Sequence, residues 1–417
     1  MHIAILGGGV IGVSTAWNLL QSGHRITLID RQSDVAMETS FANAGMLSFG
    51  YASPWAAPGI PRKALAWMMQ ELSPIHIQPS ECNMATLSWL RRMWHQCTPT
   101  AYDHNKRTLL TLAEYSRHAF IELRKKRHLA FDQRQSGTIE LFRDQKKMDD
   151  CGADFKALYD LGIKAELLDR NAVLEYEPGL KASRDKFVGG LRFPNDSTGD
   201  CHAFTHALIR ECLTLGLHLI TDTQVNGLEV QGQEVGAITT DKGVIEADAV
   251  VVAMGSYSPQ LLAPLGIQLP VYPVKGYSMT LPLLDEALAP SSTVMDETYK
   301  VAITRFEQRI RVGGTAEIAG FNLDRPEARR HITEFVVNDL FPGAGDIEHA
   351  EFWAGLRPMT PDSLPVIGKT PFHNLYLNTG HGTLGWTLSQ ATARLVADII
   401  NERPPEIDLP NLTLERF

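Results

Sequence analysis

The chain has 417 residues, 44% hydrophobic and 21% charged, with a formal net charge of −9. That length accommodates two domains with separate cores, and the balance is that of an ordinary globular enzyme. The acidic total and the lack of a long basic run exclude general nucleic-acid binding.

The five cysteines are scattered, odd in number and without a CxxC pair. This argues against a disulfide framework and against an iron–sulfur or zinc site. A first strand beginning at residue 2 leaves no room for a signal peptide, so the expected location is cytoplasmic, at most peripheral to a membrane.

His2-Ile3-Ala4-Ile5-Leu6 is a short apolar run suited to a buried parallel strand. Gly7-Gly8-Gly9-Val10-Ile11-Gly12 follows, then a helix-compatible run from Val13 to Leu20 that ends at Gly23. Arg25 to Asp30 reads as a second strand, with the acid at its tip eighteen residues after Gly12. Strand, glycine turn, helix, strand and terminal acid are the ordered parts of a dinucleotide-binding unit.

Gly7 permits the tight turn, Gly9 removes a Cβ that would block a pyrophosphate, and Gly12 lets helix and strand pack closely. The helix N-terminus offers N–H groups and partial positive charge to phosphates, and Asp30 accepts hydrogen bonds from a ribose diol. A glycine-rich turn in another α/β unit explains neither Asp30 nor the motif's position. A membrane span over Ile3 to Leu20 is opposed by four glycines and an asparagine in that stretch.

Thr39 to Gly45 is a small, polar loop suited to close approach of a ligand. Tyr51 to Gln70 mixes prolines with Trp55, Trp67, Met68 and Met69 beside Arg62 and Lys63. It reads either as a flap on the core or as an amphipathic stretch resting on a membrane. A helical region is expected from Met84 to Arg127, and strands over Gly137–Phe142 and Gly190–Pro194.

A helix over Ala203–Leu215 comes next, then a strand at His218–Ile220 and alternating strands around Leu228 and Ile238. The apolar run Ala249 to Ala253 ends at Gly255, a second place for backbone to approach a ligand. Val271 to Glu317 reads as a mostly antiparallel sheet. Leu375–Asn378, the glycine loop Gly380-His381-Gly382-Thr383-Leu384-Gly385 and a helix over Trp386–Ile400 form a second strand–loop–helix unit. Two such units fit a cofactor charged at both ends better than NAD alone. His202 and His206, four apart on a helix, make a metal pair only if an acid completes it, and no metal site is expected.

Several pieces together resemble the FAD-dependent amine and D-amino acid oxidoreductases, the group of D-amino acid oxidase, glycine oxidase and sarcosine oxidase. They are Ser40–Gly45, Tyr51–Pro61, Pro194–Phe204, Pro273–Tyr277, Asp296–Lys300, Arg305–Glu317, Gly355–Asp362 and Asn378–Thr387. The resemblance runs over nearly the whole chain. It implies an α/β fold: a Rossmann-like FAD-binding domain and a second domain of mostly antiparallel sheet plus helices. The implied division is 1–50, 196–265 and 350–417 for FAD, and 51–195 and 266–349 for substrate.

By the same resemblance Ile3 to Trp17 hold the pyrophosphate, Gly7, Gly9, Val10, Ile11 and Gly12 among them. Asp30 with Arg31 meets the adenosine ribose, and Val225 the adenine. Ser40, Asn43, Ala44, Gly45 and Met46 line the flavin. Ala253, Gly255 and Gly355 approach the cofactor through backbone. Gly380, Gly382, Thr383 and Leu384 lie at the pyrimidine edge, where a helix N-terminus also favours negative charge on the reduced ring. His381 either takes a catalytic part or fixes this turn by a hydrogen bond.

Arg305 is the expected carboxylate partner, because a guanidinium is planar, two-pronged and permanently charged. Arg309 and Arg311 compete only if no turn intervenes, and Tyr299 adds a hydroxyl. No cysteine follows Cys212, so FAD is expected to be non-covalent. The expected reaction is oxidative deamination of a D-amino acid to a 2-oxo acid and ammonia, with electrons passed to a quinone-type acceptor. Peripheral contact with the cytoplasmic face of the inner membrane would go with that acceptor. The alternatives are an oxygen-using oxidase, an NAD-dependent dehydrogenase using only the first motif, and a flavin-holding subunit of a larger complex.

Overall fold

The computed structural model describes residues 1–67, 72–81, 83–407 and 410–417; Met68, Met69 and Cys82 lie outside them. One layer is a six-stranded sheet in the order Val366–Lys369, Leu375–Thr379, Ala249–Val252, His2–Leu6, Arg25–Ile29, His218–Ile220. Every neighbouring pair is parallel except the first. His2–Leu6 has four of its five residues buried and Ala249–Val252 is buried throughout, because both faces of the sheet are covered.

On one face the helices Val10–Gln21, Pro99–Lys126, Cys201–Thr214 and Gly385–Ile400 close a core around Val13, Leu109, Phe204 and Leu388. On the other face a three-stranded sheet packs Val235 and Ile238 against Ala4, Val250 and Leu377. The strands that feed the two glycine loops, His2–Leu6 and Leu375–Thr379, flank Ala249–Val252 on either side. Both loops therefore leave the same edge of the sheet, where parallel strands end and ligands bind.

The second layer is a nine-stranded, mostly antiparallel sheet. Its order is Glu351–Met359, Tyr272–Pro282, Arg309–Ile318, Val301–Arg305, Thr293–Asp296, Thr138–Phe142, Gly189–Phe193, Glu166–Asp169, with Ile75–Ile77 beside Arg309–Ile318. Its outer face packs Val301, Ile303 and Val312 against Ile332 and Val336 of the helix Glu327–Leu340.

Two expected domain boundaries change. Glu351–Met359 pairs with Tyr272–Pro282 in the large sheet, so residue 350 does not begin the cofactor unit. Pro99–Lys126 buries Leu109, Leu112 and Phe120 against the first layer, so this helix belongs to that unit's core. The helical region expected over Met84–Arg127 is two helices, Met84–Gln96 and Pro99–Lys126. Pro99 starts the second one and Thr98 caps it through Ala101 N–H.

Candidate active site

The three N-terminal glycines do three different jobs. Gly7 has φ +107°, and a Cβ there would sit 2.6 Å from Ala253 O. A Cβ on Gly12 would come within 1.9 Å of Gly7 O, so the helix can lie this close to the turn only without one. A Cβ on Gly9 would meet only Ser40 Oγ, at 3.4 Å. Gly9 is thus dispensable to the protein's own packing and faces the cavity.

Gly9 gives the helix Val10–Gln21 no side-chain cap, and Val10 N–H donates to Ser40 Oγ at 3.1 Å. Asp30 accepts Gly8 N–H at 2.5 Å and Gln32 N–H at 2.8 Å, and burial pushes its carboxyl above the usual range. Arg31 lies beside it, paired with Glu38 and stacked 3.7 Å over the Tyr257 ring.

At the second loop, Gly382–Leu384 forms a short turn and Gly385–Ile400 starts without a side-chain cap. The first helix is tied to the second unit by Asn378 of the strand Leu375–Thr379, which donates to Thr15 Oγ1 at 2.9 Å, and by Gln390 of the second helix, which donates to Ser14 Oγ at 2.8 Å.

A single cavity of about 860 Å³ touches both loops, near the upper end of the ~300–1,000 Å³ typical of small-molecule sites. Gly7, Gly9, Val10 and Ile11 line it, with Asp30 and Arg31. So do Ser40, Asn43, Ala44 and Met46, as do Val225, Ala253, Gly255 and Gly355. The second loop contributes His381, Gly382, Thr383 and Leu384.

Five expected cofactor contacts do not line it. Ile3 is in the core and Gly12 packs on Gly7. Trp17 is buried, with the Arg127 guanidinium 5.5 Å over its ring. Gly45 (φ +76°) turns against Phe306, and Gly380 (φ +74°) against Thr360. They shape the cavity from behind.

The expectations for Arg305 and Tyr299 are corrected, and of the two readings of His381 the geometry favours the turn-fixing one. Arg305 shares its strand face with Val301 and Ile303, whose side chains enter the outer core. It does not line the cavity, and its Nη1 pairs with Glu286 at 2.6 Å. A hairpin bend at Glu307-Gln308 does intervene, and Phe306 N–H donates to Arg309 O. Tyr299 packs edge-on to Phe335, 5.4 Å between ring centroids, beneath Arg143. His381 is buried with Nε2 3.0 Å from Thr392 Oγ1, and burial pushes its pKa down to about 3. An uncharged imidazole tied to the following helix fixes the turn.

The residue missed in the sequence is Arg357. It lines the cavity from Glu351–Met359 and donates to Thr315 O at 2.8 Å and Gly314 O at 3.3 Å. A Cβ on Gly276 would lie 2.3 Å from its Cζ, so that glycine lets the guanidinium cross the sheet. Among the described residues no carboxylate pairs with it, and burial pulls its pKa down to about 10. It remains charged at neutral pH. A desolvated, unpaired guanidinium is costly unless an anion arrives.

His202 and His206 lie 3.1 Å apart through Nε2, with Asp34 3.9 Å from His206. Among the described residues no group of three or more metal-binding side chains forms. Trp55, Lys63 and Trp67 of the amphipathic stretch line the cavity, which favours the flap reading for that segment.

Asp196 holds the turn that places Ser48, Gly50 and Tyr51 on the cavity wall. Its Oδ1 accepts Gly50 N–H at 2.6 Å, and burial raises its pKa to about 7. The folded value lies above the unfolded one, so this group's contribution is fully present below about pH 4 and is lost as pH rises through about 7. Asp196→Asn is expected to flatten that decline in a Tm-against-pH series. Parallel wild-type and variant curves would refute it.

The chain matches the family described as DAO, FAD dependent oxidoreductase, over residues 2–399. It is 53% identical over 417 residues to a D-amino acid dehydrogenase of Cereibacter sphaeroides, covering all of this chain and 95% of that one. A D-amino acid dehydrogenase of Rhizobium johnstonii is 52% identical, with both chains fully covered. Among solved structures, glycine oxidase from Geobacillus kaustophilus superposes with TM-score 0.76 at 25% identity, covering 100% of this chain and 98% of that one. L-proline dehydrogenase from P. horikoshii gives 0.77 at 17% identity, covering 100% and 97%, and shares the fold.

Proposed function

This chain belongs to the DAO family of FAD-dependent oxidoreductases, and from that membership we propose that it is a dehydrogenase converting D-amino acids to 2-oxo acids and ammonia. The observation that carries the reading is Arg357, a half-buried cation with no carboxylate partner among the described residues, on the wall shared with the two dinucleotide-type loops. The residues fit the cofactor of the family. The side of Gly9 toward the cavity is clear of protein apart from Ser40 Oγ, two helix N-termini lack side-chain caps, and Asp30 stands at the strand tip.

Bound FAD supplies the two-electron acceptor, and the protein supplies position and electrostatics. Arg357 grips the substrate carboxylate with two prongs and fixes the direction of the Cα–H bond. Tyr51, Phe193 and Met295 line the cavity beside Glu140, and the substrate amine reacts in its neutral form. The N–H groups at the start of Val10–Gln21 hold phosphate, and the Gly382–Leu384 turn presents N–H groups where the ring gains charge.

The preference for D substrates follows the names of the two relatives at 52–53% identity. Anaerobic bleaching of the purified yellow protein against panels of D- and L-amino acids tests it. Bleaching by the D panel, reoxidation by a soluble quinone faster than by oxygen, and release of colour into the supernatant on acid precipitation are expected. Bleaching by L substrates alone, or peroxide formed at the rate of turnover, would sink the reading.

For the acceptor we propose peripheral membrane contact through Met84–Gln96. No described helix is long and apolar enough to cross a membrane. Met84, Leu87 and Trp94 are 81%, 50% and 68% exposed, Arg91 stands among them, and the helix contains no acid. Flotation with anionic vesicles at low salt is expected, and Trp94→Ser is expected to reduce it. Protein that stays at the bottom of the gradient speaks against the contact.

A further inference from the structure

Among the described residues Arg357 is not the only guanidinium near the cavity without an ion pair. Arg309, Arg311 and Gly313 alternate along one face of the strand Arg309–Ile318, the face turned toward the cofactor unit. Each meets something different there. Arg309 is paired with Asp132 at 2.7 Å and Asp200 at 2.9 Å. A Cβ on Gly313 would come 3.0 Å from Ala44 Cβ, so the Asn43-Ala44 loop lies directly on that strand.

Arg311, between them, donates from Nη1 to the carbonyl of Asn43 at 2.9 Å, and its Nε has no hydrogen-bond partner among the described residues. The side chain is 5% exposed, and among the described residues no carboxylate lies within ion-pair distance. Asp200, the acid that acts on it most strongly, is already committed. Its Oδ2 takes Arg309, and its Oδ1 takes the N–H groups of His202 and Ala203 at the start of the helix Cys201–Thr214. The Phe306 ring, 5.5 Å from the guanidinium, adds nothing that neutralises it.

A loop carbonyl is satisfied by any neutral donor, so the hydrogen bond to Asn43 does not by itself account for a full charge buried here. A buried cation is costly unless something anionic comes near it. The cavity wall immediately in front of Arg311 is Asn43 and Ala44, on the cofactor side of the site. A flavin ring gains negative charge when it takes up two electrons. A fixed positive charge one loop away, in a low-dielectric setting, favours that form strongly.

We propose that Arg311 is a positioning residue whose charge, acting through the Asn43-Ala44 loop, raises the reduction potential of the bound flavin. Its work is divided from that of Arg357: one guanidinium holds the substrate anion, the other favours charge on the cofactor. The inference rests on the reading that this cavity holds FAD.

The test separates charge from hydrogen bonding. Arg311→Gln keeps an N–H donor for Asn43 O and removes the charge; Arg311→Lys keeps both. Each is purified with FAD, and its sulfite dissociation constant is titrated by loss of visible absorbance. Sulfite adds its electron pair to flavin N5 and leaves negative charge on the ring, so its affinity reports the same electrostatics without substrate.

The Gln variant is expected to bind sulfite about tenfold or more weakly. A tenfold change corresponds to ~30 mV lower potential for a two-electron couple, and the Lys variant is expected to stay near wild type. Wild-type sulfite affinity in the Gln variant overturns the proposal. Equal weakening in both variants, or loss of FAD from the Gln variant, assigns Arg311 to holding the loop and overturns it too. A colourless wild-type protein would instead fail the reading of the cavity as an FAD site.

Discussion

Replacing Arg357 by alanine is expected to lower kcat/KM for the substrate amino acid by about 2–5 kcal/mol, the cost of truncating one partner of a buried charge pair. That is roughly 30- to 5,000-fold. Arg305→Ala is expected to leave kcat/KM within about threefold, because Arg305 does not line the cavity and its Nη1 is taken by Glu286. The contrast reverses what the strand motif around Arg305 suggests, and anaerobic reduction kinetics of both variants measure it.

The Arg357 variant carries a second signature. Without substrate, its guanidinium is desolvated and has no carboxylate partner among the described residues. Arg357→Met, which keeps the volume and removes the charge, is therefore expected to keep or raise Tm while losing activity. A residue needed for the fold would lose both. Wild-type kinetics in either Arg357 variant would remove it from the site and return the carboxylate to another group.

The second large effect separates two glycines that look equivalent in the motif. Gly12→Ala places a Cβ 1.9 Å from the carbonyl of Gly7, a backbone atom that cannot yield without moving the turn. We expect a destabilisation at or above the ~1–3 kcal/mol usual for overpacking, seen as insoluble or low-Tm protein. Gly9→Val meets no backbone, and its φ of −70° is open to any residue. That variant is expected to fold, with far-UV circular dichroism like that of the wild-type apoprotein, and to purify without colour because the side chains fill the space for the pyrophosphate. A yellow Gly9→Val protein would show that the phosphates bind elsewhere.

Much of the cofactor side was legible because it rests on local rules. The order of strand, turn, helix and acid over His2 to Asp30 is a contiguous signal. Each glycine in it answers a backbone demand within a few residues or at one neighbouring strand. The second loop, Gly380 to Gly385, was legible for the same reason, as was its pairing with the first: only a parallel sheet puts two such loops on one edge.

The substrate side was not. Arg305, Arg309, Arg311 and Arg357 all sit in strands, and all are the right kind of group. Which of them meets a ligand depends on a hairpin bend at residues 307–308, on the missing side chain at Gly276 that lets one guanidinium cross the neighbouring strand, and on which acids already occupy the others. Tyr299 was misread likewise, and the two readings of His381 could not be separated. A buried ring beside Phe335 and a histidine bonded to Thr392 differ from catalytic groups only in what surrounds them.

The amino-acid order alone determined a nucleotide-gripping α/β protein, since glycine conformations and apolar runs act over a few residues. Tertiary packing decided which cation stands without a partner, because charge compensation is a property of neighbours distant in the chain. Arg305 found Glu286, Arg309 found Asp132 and Asp200, and Arg357 found no acid among the described residues.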